Sequence, residues 1–138
     1  MRQINSYLHF NGNCREAMTF YKECLGGQLI LQTVGESPMA DKMPIEMKDL
    51  ILHATLINGE LVLLGSDMSP ENLIKGNAVD LMLDCRSDDE IRTSFDKLSA
   101  NGTIGPSIRG NILGCHIWQL YRQIRQPLDA QLYKMLTI

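Results

Sequence analysis

Apolar and polar positions alternate from Ile4 to Phe10. Ile4, Ser6, Leu8 and Phe10 fall on one side and Asn5, Tyr7 and His9 on the other, which predicts a strand with two unlike faces. Asn11-Gly12 makes a turn. Asn13 then caps a helix, and Glu16 completes a capping box. Ala17, Phe20, Tyr21 and Cys24 give that helix one apolar stripe. Gly26-Gly27 ends it, and Gln28 to Val34 predicts a second strand. Glu36 to Lys48 carries Pro38, Pro44, Met39, Met43 and Met47, a loop that packs on something apolar or serves as a lid. Ile51 to Ile57 and Leu61 to Gly65 flank Asn58-Gly59, a two-residue hairpin signal. The order so far is β-α-β-β-β.

The pattern then recurs. Val79, Leu81, Leu83 and Cys85 alternate with Asp80, Met82 and Asp84. Ser87 caps a second helix with Glu90 as its box partner, Ile91, Phe95 and Leu98 form its stripe, and Asn101-Gly102 ends it. At one constant offset Leu8 matches Leu83, Phe20 matches Phe95, Lys22 matches Lys97 and Gly27 matches Gly102. Internal duplication accounts for this. The predicted organisation is an α+β fold with a first βαβββ module at 1–68, a linker at 69–76 and a second module at 77–138.

Composition narrows the function. The chain has 138 residues, 44% apolar and 21% charged, an ordinary globular balance. A net charge of −3 repels phosphate backbones, which argues against nucleic acid as a partner. The longest nearly apolar run, Leu50 to Asn58, is interrupted by His53 and is under half of a membrane span. The start, MRQINSYLHF, has no signal-peptide pattern, so a cytoplasmic location is expected. Cys14, Cys24, Cys85 and Cys115 fall in no metal-binding spacing and read as reduced thiols. Cys14 belongs to the first turn of a helix, where a thiol pKa falls, but no histidine accompanies it in sequence.

Two segments, YLHFNGNCREAMTFYKECLGG and LILHATLINGELVLLGSD, carry a family resemblance. Residues 1 to about 104 resemble the PhnB-like branch of the vicinal oxygen chelate superfamily. That superfamily includes glyoxalase I, bleomycin-resistance proteins and extradiol dioxygenases. The resemblance implies two βαβββ modules whose mixed sheet curls into a cup around a small-molecule ligand, in a homodimer. It also implies a divalent metal held on the concave strand faces. Matched residue by residue, the ligand positions fall at Asn5 or Tyr7, near Leu63, and at Ala78 or Asp80. These do not make a hard-ion donor set, so no metal and no cofactor are expected. The candidate ligand contacts are Tyr7, His9, His53, Thr55, Asp67 and Asp80, with Asp84 also on the concave side. His9 and His53 are acid/base candidates. Asp67, after Ser66 at a strand end, either caps a turn or touches ligand. PhnB-like proteins often carry a methyltransferase label, yet no glycine-rich strand-to-helix turn is present for a nucleotide-like cofactor. No arginine cluster in residues 1–104 marks a phosphonate pocket. The expected function is metal-independent binding of a small organic molecule. The alternative is a metal-dependent lyase or isomerase using His9, His53 and Asp80, or a dioxygenase of the same superfamily.

Residues 106–138 depart from the resemblance. PhnB-like chains end near TFWGAxFGxxxDKFGxxWMLN, whereas this one ends NILGCHIWQLYRQIRQPLDAQLYKMLTI. Codons permitted by Asn111 to Leu136 can be chosen so that, after one base is dropped, they spell TFWGATFGSFTDKYGNHWMLNYTKC and then a stop. A single-base frameshift between Gly105 and Asn111 explains the tail. On that reading the last strands of the second module are foreign sequence. Ile112 to Leu120 and Gln131 to Ile138 still hold enough β-formers to occupy sheet edges, with Arg122, Arg125 and Pro127 in a loop between them. Sequencing the coding DNA checks this. The expected outcome is codons at 112–136 that spell the family-like tail in the other frame, and codons that do not would end the idea.

Overall fold

The computed structural model describes residues 2–69, 73–74, 81–83, 85, 87–100, 119–125 and 131–137. Its elements are β1 (Ser6–His9), α1 (Cys14–Leu25), β2 (Gln28–Thr33), β3 (Ile51–Asn58), β4 (Leu61–Ser66), β5 (Leu81–Met82), α2 (Asp88–Ser99), β6 (Gln119–Arg125) and β7 (Gln131–Thr137). The fold is α+β. The chain divides into two units, Met1–Leu73 and Ile74–Ile138.

In the first unit four strands form one curled, unclosed sheet in the order β1-β4-β3-β2. β1 runs parallel to β4, and the other neighbours are antiparallel. The alternation of β1 holds, but the strand is shorter than predicted. Ile4 lies outside it and is fully exposed, while Phe10, just beyond its end, is buried. α1 covers one face of the sheet. Cys14, Ala17, Met18, Tyr21 and Cys24 form its buried stripe, against Ala54, Leu56 and Leu63 of the sheet. Met18 joins the stripe and Phe20 stands at its margin, half-buried. The close approach of helix to sheet rests on Gly65. A Cβ there would sit 3.1 Å from Met18 Sδ, 3.1 Å from Phe10 Cε2 and 3.3 Å from Cys14 Sγ.

Turns differ from the sequence expectation in instructive ways. Asn13 is the N-cap residue of α1, but its side chain makes no capping hydrogen bond. The hairpin loop is Gly59-Glu60, because Asn58 already pairs with Leu61. Asn58 instead donates its side-chain N–H to Leu25 O at 2.7 Å, joining the hairpin to the end of α1. The loop after β2 forms two short 3-10 turns, Ala40–Lys42 and Ile45–Met47. Met39 in this loop is exposed, and Met43 and Met47 are half-buried. Its start is closed by Glu36, whose carboxylate accepts from Thr33 N and Thr33 Oγ1, both at 2.9 Å. These bonds, the backbone one foremost, hold the Glu36 carboxyl below its ordinary pKa.

The second unit repeats the first in outline. Its described strands lie in the order β5-β7-β6, with β5 parallel to β7 and β6 antiparallel to it. That is the relation of β1, β4 and β3. Ser87 caps α2 as predicted, its hydroxyl accepting from Glu90 N at 3.2 Å. Leu98 and Ser94 are buried on this helix and Phe95 is half-buried. One expectation fails here. Arg122 and Arg125 lie in β6, in register with Lys134 and Gln131, and not in a loop. Backbone pairing with β7 overrides a weak side-chain pattern, as sheet context commonly does. Val79, Asp80, Asp84, Asn101-Gly102, residues 106–118 and Pro127 lie outside the described residues. Among the described residues no helix is long and apolar enough to cross a membrane.

Two glycines with left-handed backbone give a graded test. Gly27 has φ +89°, and a Cβ there would collide with the carbonyl oxygen of Ile57. Gly59 has φ +61° with nothing within 4 Å. Gly59→Ala is expected to cost about 1 kcal/mol, the conformational term alone. Gly27→Ala is expected to cost at least about 3 kcal/mol because overpacking adds to it. Urea denaturation of the two variants measures the difference.

Candidate functional site

The sheet of the first unit has a second face, opposite α1. Register defines it row by row. The central row runs Tyr7, Leu64, Thr55, Ile30 across β1, β4, β3 and β2. One step to one side lie Val62, Ile57 and Gln28. One step to the other lie the pairs His9 with Ser66, and Gln32 with His53. Side chains alternate across a strand, so the positions that flank these rows point to the helix. Burial agrees: Leu56, Ala54, Leu63 and Gly65 are buried, while this face is exposed or half-buried except at Ser66. Tyr7 keeps 43% of its surface exposed, Ile30 51% and Ile57 40%.

Four predicted contacts therefore come together here: Tyr7, His9, His53 and Thr55. Tyr7 stands between the two histidines. Its ring centroid is 5.3 Å from that of His9 and 5.7 Å from that of His53, tilted to each. Its hydroxyl reaches across β4 to within 3.2 Å of His53 Nδ1. With the imidazole proton on Nε2, the phenol donates to Nδ1. With that proton on Nδ1, the imidazole donates to the phenol oxygen. The pair can thus hold or pass a proton at one spot on a face of mixed aliphatic and uncharged polar side chains. Ile30, Ile57, Leu64 and Gln32 complete the surface and were not among the sequence candidates. The strand alternation of β2 to β4 carried the signal for them, once the helix-facing side was known.

Asp67 does not join this group. Its carboxylate is buried and accepts from two main-chain amides, Cys14 N at 2.9 Å on Oδ1 and Ile51 N at 2.9 Å on Oδ2. It supplies the cap that Asn13 does not, from the far end of β4. Ser66 beside it is equally committed, donating its hydroxyl to Leu52 O at 2.8 Å and accepting from Met68 N at 2.9 Å. Cys14 is fully buried beneath this arrangement. Asp80 lies outside the described residues.

Comparison with known proteins places this geometry. The sequence model of a family described as 3-demethylubiquinone-9 3-methyltransferase matches residues 2–115. The chain belongs to this family. Protein YjdN of Escherichia coli (strain K12) is 31% identical over 110 residues, covering 73% of this chain and 75% of that protein. The crystal structure of protein PA1353 from Pseudomonas aeruginosa superposes with a TM-score of 0.75 at 29% identity, over 99% of this chain and 96% of that one. The PhnB protein of Bacillus cereus, described under the same methyltransferase name, gives a TM-score of 0.64 at 21% identity, over 99% and 98% of the two chains. This second likeness shows the fold.

α1 begins with an amide that is not free for the methyl-donor cofactor that the family's name implies. A methyl-donor cofactor bound at a helix N-terminus uses its free amides, and in α1 the Cys14 amide is already taken by Asp67. Among the described residues no three His, Cys, Asp or Glu converge. Of the positions matched to metal ligands, Asn5 precedes β1 and Leu63 faces the helix, buried.

The role of Asp67 is open to a direct test. Asp67→Asn keeps one accepting oxygen and sets an amide N–H against a main-chain N–H. It is expected to lower stability by about 1–3 kcal/mol in urea denaturation, the cost of a buried donor left unsatisfied. Wild-type stability in this variant would show the two bonds to be dispensable.

Proposed function

We propose that the protein binds a small organic molecule, in the manner of glyoxalase and bleomycin-resistance proteins, on the open face of its first sheet. The observation that carries the reading is the Tyr7 hydroxyl 3.2 Å from His53 Nδ1, on the face that also exposes Ile30 and Ile57. The vicinal oxygen chelate superfamily, to which we assign the chain on its sequence, builds its sites on this kind of strand face. There a metal ion orients the ligand. Here a phenol and two imidazoles occupy the middle of the face, and the rows around them end in leucine, isoleucine, valine, threonine and glutamine. Such a surface offers apolar area for affinity and a few polar atoms for orientation, the usual division of labour in small-molecule sites. Tyr7 and His53 add acid/base capacity, so a proton-transfer reaction on a bound ligand lies within the site's means. The reading depends on residues 2–69, which precede the tail that departs from the family pattern.

A fragment screen by NMR on the full chain tests it. Hits are expected to move the signals of Tyr7, His53, Thr55 and Ile30 together. Hits confined to other residues would overturn the reading. The metal-dependent alternative is separated by thermal melting. Added zinc, nickel or manganese is expected to leave Tm unchanged, because an ion that binds the native state raises it. A rise of several degrees would restore that alternative.

A further inference from the structure

The four strands of the first unit read SYLH, QLILQT, ILHATLIN and LVLLGS. They contain no Lys, Arg, Asp or Glu. The nearest carboxylate beyond β4, Asp67, is buried and bonded to main-chain amides. The strands that carry Tyr7 and His53 thus bring no fixed charge to this face. An anion such as a phosphate, phosphonate or sulfonate would give up hydration there and meet no permanent countercharge from these strands, which is unfavourable. A planar ring loses nothing of the kind. It gains the tilted π-faces of Tyr7, His9 and His53 and the exposed side chains of Ile30 and Ile57. Aromatic contacts of this geometry contribute beyond their buried area.

Resting on the binding reading above, we infer that the ligand is a planar conjugated ring without fixed charge, bearing a hydroxyl or enol at its edge. The hydroxyl sits against the Tyr7–His53 pair. The phenol oxygen and the imidazole there offer one donor and one acceptor in alternate tautomers, so they receive the ligand hydroxyl in either sense. The ring lies over the Leu64–Thr55–Ile30 row. A hydroxyl that ionises weakly is accommodated by proton transfer to the imidazole, which a fixed anion cannot use.

Four probes test the inference by NMR titration of the full chain: naphthol, naphthalene, decahydronaphthol and naphthalenesulfonate. Naphthol is expected to bind at Tyr7, His53 and Ile30, and naphthalenesulfonate at least about tenfold more weakly. Decahydronaphthol, which has the hydroxyl without the flat ring, is expected to be about fivefold weaker. Tyr7→Phe is expected to weaken naphthol about three- to tenfold and leave naphthalene unchanged, the signature of one lost hydrogen bond. His53→Gln repeats the test should Tyr7→Phe alter the fold. Sulfonate binding at these residues as tight as naphthol would overturn the uncharged class and leave the binding face standing. Decahydronaphthol binding as tight would overturn planarity in the same way. If none of the probes moves these signals, or if the signals move with protein concentration because a second copy covers the face, the inference falls together with the binding reading.

Discussion

A single carboxylate ties the first unit together. Asp67 accepts from the first amide of α1 and from the first amide of β3. In return its own amide donates to Ile51 O at 2.8 Å. Beside it, Phe10 N donates to Ser66 O at 2.9 Å, which closes the end of β1. Helix, central strand and first strand therefore meet at one point on the main chain of β4. A buried carboxylate is stable only where it is fully hydrogen-bonded, and charge-assisted bonds to backbone amides are among the stronger ones available. The same point fixes where β3 begins. With Ile51 held there, His53 and Thr55 fall on the open face and Ala54 and Leu56 under the helix. A slip of one residue would exchange these sets.

Much of this was legible in the sequence, and the misses share a cause. Strand alternation and turn residues found β1 to β4, α1 and α2, because period and punctuation are local properties. The Ser87 cap was legible for the same reason. The Asn13 cap was not, because Asp67 occupies that end of α1 from across the molecule. The grouping of Tyr7, His9 and His53 on one face followed from parity, but the Tyr7–His53 bond did not. It depends on β1 lying beside β4 and on the register of β3 against it. Ile30 and Ile57 read as ordinary strand residues until the helix was known to cover the other side. Arg122 and Arg125 show the opposite error. Their place between two runs of β-formers suggested a loop, whereas a partner strand in register is what places them in a sheet.

The two faces of the sheet answer opposite demands. The helix-facing side is tightly packed at Gly65, where a Cβ would press on three side chains of the helix and its lead-in. The open side leaves isoleucine and tyrosine surface uncovered. Exposed apolar area grouped on one face is a usual mark of an interaction site, and no charged side chain in the strands breaks it up. The polar atoms on that face are few and adjustable, which favours recognition by shape and proton position over recognition by charge.

The parallel pairing of β1 with β4 has a consequence for how the chain is made. β1 leaves the ribosome before its partner, which is complete only when Ser66 has been added. Until then it has no ladder to join, while the β3–β4 hairpin and β2 can form from local contacts. Non-local pairing of this kind is slow because the intervening chain must close first. The second unit repeats the delay, since β5 waits for β7, which runs to Thr137. In each unit the first strand along the chain is therefore paired with the last.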